Sequence, residues 1–180
     1  MVELSGVSFG YQSDKNVLDN LNLRMEEGRF YGLLGMNGSG KTTLLKLIAG
    51  KLFAHGGEIY VDGRNLRERD VETLQKVFML PADFIFPNMS LEQFLAIYSE
   101  FYPEFRKEVL NDCLVNFEIQ RDIKNLNQLS LGEKHKVAFS IALSLGTKIV
   151  LLDEAANGMD IPARKMFRKL LMKHVREDQI

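Results

Sequence analysis

The chain has 180 residues, enough for one domain with its own hydrophobic core and too few for two independent ones. Hydrophobic residues make up 46% and charged residues 26%, the balance of an ordinary globular protein. Lys and Arg total 23 against 24 for Asp and Glu, so the basic excess of a nucleic-acid-binding protein is missing and such a partner is not expected.

The single Cys113 cannot form an internal disulfide and fits a reducing compartment. The first residues, MVELSGVSFGYQ, lack the basic region and apolar core of a signal peptide. No apolar run approaches the length of a membrane-spanning helix, so any membrane association is expected to go through a protein partner.

In chain order, residues 2–11 alternate loosely as a strand, and 21–25 place Leu21, Leu23 and Met25 on one strand face. The apolar run 30–34, bounded by Gly28 and Gly35, predicts a short buried strand. Residues 35–43 read Gly-Met-Asn-Gly-Ser-Gly-Lys-Thr-Thr, which satisfies G-x-x-x-x-G-K-[ST]. A helix is expected from Lys41 to about Gly50. Glycines in such a loop let backbone N–H groups curl around phosphate oxygens, and the helix start adds its partial positive charge. On this pattern Gly35, Asn37, Gly38, Ser39 and Gly40 cradle the phosphates, and Lys41 neutralises the β- and γ-phosphates. The Thr42 hydroxyl ligates Mg²⁺, and Thr43 reaches a phosphate nearer the ribose.

Residues 58–61 predict another strand, closed by the Asp62-Gly63 turn dipeptide. Between Ser90 and Phe117 come two amphipathic helical stretches broken at Pro103, with apolar stripes Leu91, Phe94, Leu95, Tyr98 and Phe105, Val109, Leu110, Leu114. This segment reads as a helical subdomain inserted into an α/β core. Ser130 opens a further helix, which runs to about Ser144. Residues 148–152 form a buried strand that delivers Asp153 and Glu154 at its carboxyl end, where open α/β sheets hold ligands. There Asp153 suits the hydration shell of Mg²⁺, and Glu154 suits a general base beside the γ-phosphate. A last helix is expected over about 161–175.

These residues together resemble the ATP-binding subunits of ABC transporters over essentially the whole chain. The phosphate loop and acidic strand look like the family's Walker A and Walker B motifs, and Leu129-Ser130-Leu131-Gly132-Glu133 resembles its LSGGQ signature. In the family that motif contacts ATP held by the opposite subunit of a head-to-tail dimer, which here would use Ser130, Gly132 and Glu133. Leu131 stands in place of a glycine and Glu133 in place of the glutamine; Ser130-x-x-Glu133 is also a plain helix capping box. Tyr11, in Val7-Ser8-Phe9-Gly10-Tyr11, matches the aromatic that stacks on adenine, and it also fits an ordinary strand aromatic. Gly158-Met159-Asp160 resembles the D-loop, where Asp160 would touch the other subunit or serve as an N-cap.

The resemblance implies an α/β fold: a P-loop core with a mostly parallel sheet, an N-terminal antiparallel β subdomain and an inserted helical subdomain. The expected organisation is 1–81 as ATP-binding core, 82–135 as helical subdomain ending in the signature, and 136–180 as the remainder of the core. It further implies ATP and Mg²⁺ as ligands, hydrolysis coupled to transport, and an integral-membrane permease as partner. A homodimer or heterodimer of ATPase subunits and a place on the inner face of the cell membrane are expected too. The stretch Phe101-Tyr102-Pro103 and Leu131 look most like bacterial exporters. Two departures stand out. Ala82 occupies the position of a glutamine that touches Mg²⁺ in the family, with Asp83 as its candidate substitute, and the chain stops before the family's switch histidine, which predicts a fragment. The alternatives are a soluble ABC ATPase acting on DNA or the ribosome, and a non-hydrolysing ATP-dependent regulator.

Overall fold

Strand β1 (Val2–Phe9) pairs antiparallel on one side with β2 (Leu18–Met25) and on the other with β3 (Gly56–Val61). The computed structural model to which these strands belong describes residues 1–12 and 15–180. Val2 and Leu4 point inward by strict alternation; a register shift between Leu4 and Val7 then flips the phase, so Val7 and Phe9 are also buried. That irregularity explains why the alternation over 2–11 looks loose in the sequence. β3 turns at Asp62-Gly63 into the short β4 (Arg64–Asn65), giving a sheet of order β2-β1-β3-β4. Helix α1 (Lys41–Ile48) follows the phosphate-loop sequence, and α2 (Val71–Gln75) is capped by Asp70, which accepts the Thr73 N–H at 3.1 Å.

The chain divides into two compact units, Met1–Met79 with Arg176–Ile180, and Leu80–Val175. The second holds helices α3 (Leu91–Phe101), α4 (Lys107–Asn116), α5 (Leu131–Ser144) and α6 (Ile161–His174). Strands β5 (Val77–Leu80) and β6 (Ile149–Leu152) form a second, parallel sheet, in which the Asp153 N–H donates to the Leu80 carbonyl at 3.0 Å. The architecture is thus α/β, with an antiparallel N-terminal sheet and a parallel one.

Helix α5 forms the interior of the second unit: every residue from Val137 to Leu145 is buried. Phe139 meets Phe117 and Phe167 at ring-centroid distances of 6.0 and 4.0 Å. Burial of an aromatic or leucine side chain contributes about 1.5–3 kcal/mol, so this helix supplies much of the unit's stability. Arg106 ties the helix ends together. Its backbone N–H donates to Ser144 O, and its guanidinium donates to Leu143 O and His174 O, carbonyls left over at the ends of α5 and α6. Asp112 on α4 accepts from Lys173 and pairs with His174 Nε2 on α6, at 2.7 and 2.6 Å. Cys113, next to it, is fully buried, and that burial pushes its thiol up to about 12. An edge-to-face and stacked series, Phe84–Phe86–Phe94–Tyr98, fastens the segment after β5 onto α3.

One expectation is corrected. Residues 30–34 form no strand, and Phe30, Tyr31, Leu33 and Leu34 are 54%, 44%, 44% and 94% exposed. A parallel strand exists only where neighbours accept its backbone hydrogen bonds, and among the described residues no strand pairs with this run.

Candidate functional site

In the first unit the phosphate-loop sequence forms an exposed turn running into α1. Gly38 and Gly40 take left-handed φ values of 82° and 91°. A Cβ on Gly40 would lie 3.0 Å from Val17 Cγ1 and 3.1 Å from Leu18 Cδ2, so the loop passes close to the start of β2 only because the residue is glycine. Gly40 is also the N-cap of α1 and brings no side-chain oxygen to the helix start. The positive end of α1 is therefore not claimed by a capping side chain. Gly35, Asn37, Gly38 and Ser39 are exposed, and the Ser39 N–H closes the turn on Met36 O at 3.2 Å.

The Lys41 ammonium bends back over the loop and donates to Gly35 O and Met36 O, each at 2.8 Å. Those carbonyls hold the ammonium against the loop. Thr42 is exposed on the first turn of α1, whereas Thr43 is buried and its hydroxyl lies 3.1 Å from that of Tyr11. Tyr11 is 62% exposed and rests its ring edge-to-face on Phe9 at 5.1 Å. The structure thus brings Tyr11 to the phosphate-loop helix and leaves much of its ring accessible.

In the second unit β6 ends in the two acids. Asp153 is buried, with its backbone fixed to Leu80. Glu154 is exposed and adopts a left-handed φ of 50°, uncommon for a residue with a side chain and concentrated at functional turns. The turn it starts closes through Asn157, whose backbone N–H donates to Glu154 O at 2.9 Å and whose carboxamide donates to Glu154 Oε2 at 2.5 Å. Asn157 is a residue that motif reading passed over. An amide three positions after the acid, just before a glycine, is the signal that could have found it.

Ser130 and Glu133 form a complete capping box. Ser130 Oγ accepts the Glu133 N–H at 3.3 Å and donates to Glu133 Oε2 at 2.6 Å, and the same carboxylate oxygen accepts the Ser130 N–H at 2.9 Å. Those bonds from Ser130 hold the Glu133 carboxyl below the usual carboxylate range. Gly132 packs so closely on the loop after β6 that a Cβ there would lie 3.2 Å from Gly158 O. Asp160 caps α6 by accepting the Ala163 N–H at 2.8 Å, with Pro162 in the first turn. Ala82 and Asp83 are both exposed in the turn after β5.

The donor chemistry suits a hard cation. Taken each within its own unit, the Thr42 hydroxyl and the Asp153 carboxylate carry oxygen donors, the type that Mg²⁺ accepts when it keeps several waters.

A glycine-rich loop opening a helix, together with a β-strand delivering paired acids, defines a P-loop nucleotide-binding protein. The family model described as ABC transporter matches residues 18–157, and the chain belongs to that family. Over 177 residues it is 30% identical to the ABC transporter ATP-binding protein YtrB of Bacillus subtilis (strain 168); the match covers 98% of this chain and 60% of that relative. A putative ABC transporter ATP-binding protein from Pyrococcus furiosus superposes with a TM-score of 0.83 at 30% identity, covering 99% of this chain and 88% of that one. The dimeric post-hydrolysis structure of the ATP-binding cassette MJ0796, bound to ADP and Pi, gives 0.82 at 27% identity, covering 99% and 84%. No helix among the described residues is long and apolar enough to cross a membrane.

Proposed function

We propose that the chain binds and hydrolyses ATP as the energy subunit of an ABC transporter, driving a separate membrane permease in the export direction. The observation that carries this reading is the phosphate loop itself, exposed, opening α1 without a side-chain cap and crossed by the Lys41 ammonium. In this reading Lys41 exchanges its two carbonyl partners for phosphate oxygens, which offer it full negative charge. Gly35, Asn37, Gly38, Ser39 and Gly40 wrap the phosphates, Thr43 contacts a phosphate nearer the ribose, and the exposed face of Tyr11 takes the adenine. Thr42 and Asp153 are the residues that would serve Mg²⁺, which would supply charge neutralisation at the phosphates.

Glu154 accepts a proton from water as the water oxygen attacks the γ-phosphorus. The bond from that phosphorus to the β–γ bridging oxygen breaks, and ADP and phosphate leave. Ser130, Gly132 and Glu133 present the start of α5 to a nucleotide on a second ATPase subunit, identical or homologous, and Asp160 meets that subunit beside it. The protein then works at the inner face of the membrane, where its permease is embedded.

The regulator reading is supported by Ala82, whose methyl group can neither ligate a metal nor orient water. One experiment separates the two. ATP turnover is measured for the wild type and for Glu154→Gln; an energy subunit loses turnover by about a hundredfold or more on losing its base. Equal rates in the two proteins would leave the regulator. Gentle solubilisation of host membranes with the tagged protein tests the partner: a multi-span membrane protein should co-purify, and ribosomal or DNA-repair partners alone would sink the transporter reading.

A further inference from the structure

Glu154 carries an exposed carboxylate on a side chain with several rotatable bonds, and a base in that position needs to be held. A glutamate left to itself distributes over its rotamers, and only a fraction of them present an oxygen along the direction set by β6. The turn after β6 removes that freedom. Asn157 reaches back with two bonds to the one residue, its backbone N–H to Glu154 O at 2.9 Å and its carboxamide to Glu154 Oε2 at 2.5 Å. The left-handed backbone at Glu154, φ 50°, places the first residue of that turn so that both bonds form together. Ala155 and Ala156, the two residues between, are small, and Ala155 is buried. Among the described residues Glu154 Oε1 has no hydrogen-bond partner, so one carboxylate oxygen is engaged while the other is left for chemistry. Asparagine suits the task because its NH₂ donates without placing a positive charge beside the carboxylate.

We propose that Asn157 is a positioning residue for Glu154, its carboxamide fixing the carboxylate through Oε2 so that Oε1 takes the proton of the attacking water. The role rests on Glu154 being the base of ATP hydrolysis, as proposed above.

The contact is tested first without turnover. In ¹⁵N-labelled 180-residue protein the Asn157 side-chain amide protons should resonate downfield and move upfield in Glu154→Ala; resonances insensitive to that change would overturn the proposal. Turnover is then measured in a double-mutant cycle of Asn157→Ala and Glu154→Gln, with affinity read from a fluorescent ATP analogue. Asn157→Ala should lower kcat about tenfold with KM and nucleotide affinity unchanged. Asn157→Gln, which keeps a donor, should recover part of the loss, and Asn157→Ala should cost nothing more in the Glu154→Gln background. The same fractional loss in both backgrounds, or a change confined to KM, would reduce Asn157 to a structural turn residue. Undiminished turnover in Glu154→Gln alone would instead remove Glu154 as base, and the positioning role with it.

Discussion

Lys41 keeps a charge in place over a loop that has no acidic side chain to pair with it. Its two partners are neutral carbonyls at 2.8 Å, which solvate an ammonium but do not compete with an anion for it. Lys41→Ala should therefore lower ATP affinity by about ten- to hundredfold, the range of roughly 1.5–3 kcal/mol for a hydrogen bond to a charged group. Titration with a fluorescent ATP analogue measures it directly. Gly158 makes a second residue-level demand. Its φ is 71°, and a Cβ would stand 3.3 Å from Leu131 Cγ and 3.4 Å from Leu131 Cδ2. Gly158→Ala should destabilise the fold by about 1–2 kcal/mol, chiefly through the left-handed backbone, as a lower midpoint in urea unfolding. Leu131, which stands where the LSGGQ motif that this stretch resembles has a glycine, thus sets its side chain beside Gly158.

At the scale of elements, two helices depend on named polar contacts. The capping box at the head of α5 satisfies donors at the helix start, so Ser130→Ala should cost about 1 kcal/mol in a denaturant titration. Helix α6 is held to α4 through Asp112. The hydrogen bond from Lys173, with His174 adding to it against some desolvation, keeps the Asp112 carboxyl below its ordinary value in the folded state. The unfolded chain therefore binds its proton at a higher pH than the folded one does. The stabilisation is fully present above the unfolded value near 4 and fades as pH falls through the lower folded value. Thermal unfolding from about pH 5 to pH 3 should show this loss, and Asp112→Asn should melt lower at neutral pH with a shallower acid dependence. None of this clamp is legible in the sequence, because Asp112 and the Lys173–His174 pair stand about sixty residues apart and only packing brings them together. The helices themselves are legible. Pro103 breaks the two middle ones, the Ser130-x-x-Glu133 pattern announces the cap of α5, and the apolar stripe of α3 reappears as buried Leu91 and Phe94.

For the molecule as a whole, local pattern fails where pairing has to decide. The run 30–34 has the composition of a buried strand, yet its backbone finds no strand to bond with among the described residues, and its side chains stay exposed along with Met36. Contiguous exposed apolar side chains favour association. The 180-residue chain should therefore self-associate with rising concentration in light scattering and bind a hydrophobic dye, and Leu34→Lys should reduce both. The candidate site was legible as far as its motifs reach: Gly35 to Thr43, Asp153 and Glu154 can be picked out from residue type and spacing. The latch from Asn157 is legible only as an amide placed three positions after the acid, because the left-handed backbone at Glu154 that closes it is specified by no motif.

The buried Cys113 has a use at this scale as well. With burial pushing its thiol up to about 12, Cys113 stays protonated near neutral pH, and no reagent reaches it while α4 stays packed. As the only cysteine in the chain, it leaves a blank background on which a thiol introduced elsewhere can be labelled alone. Left as it is, its slow reaction with an alkylating reagent becomes a clock that ticks only when the second unit opens.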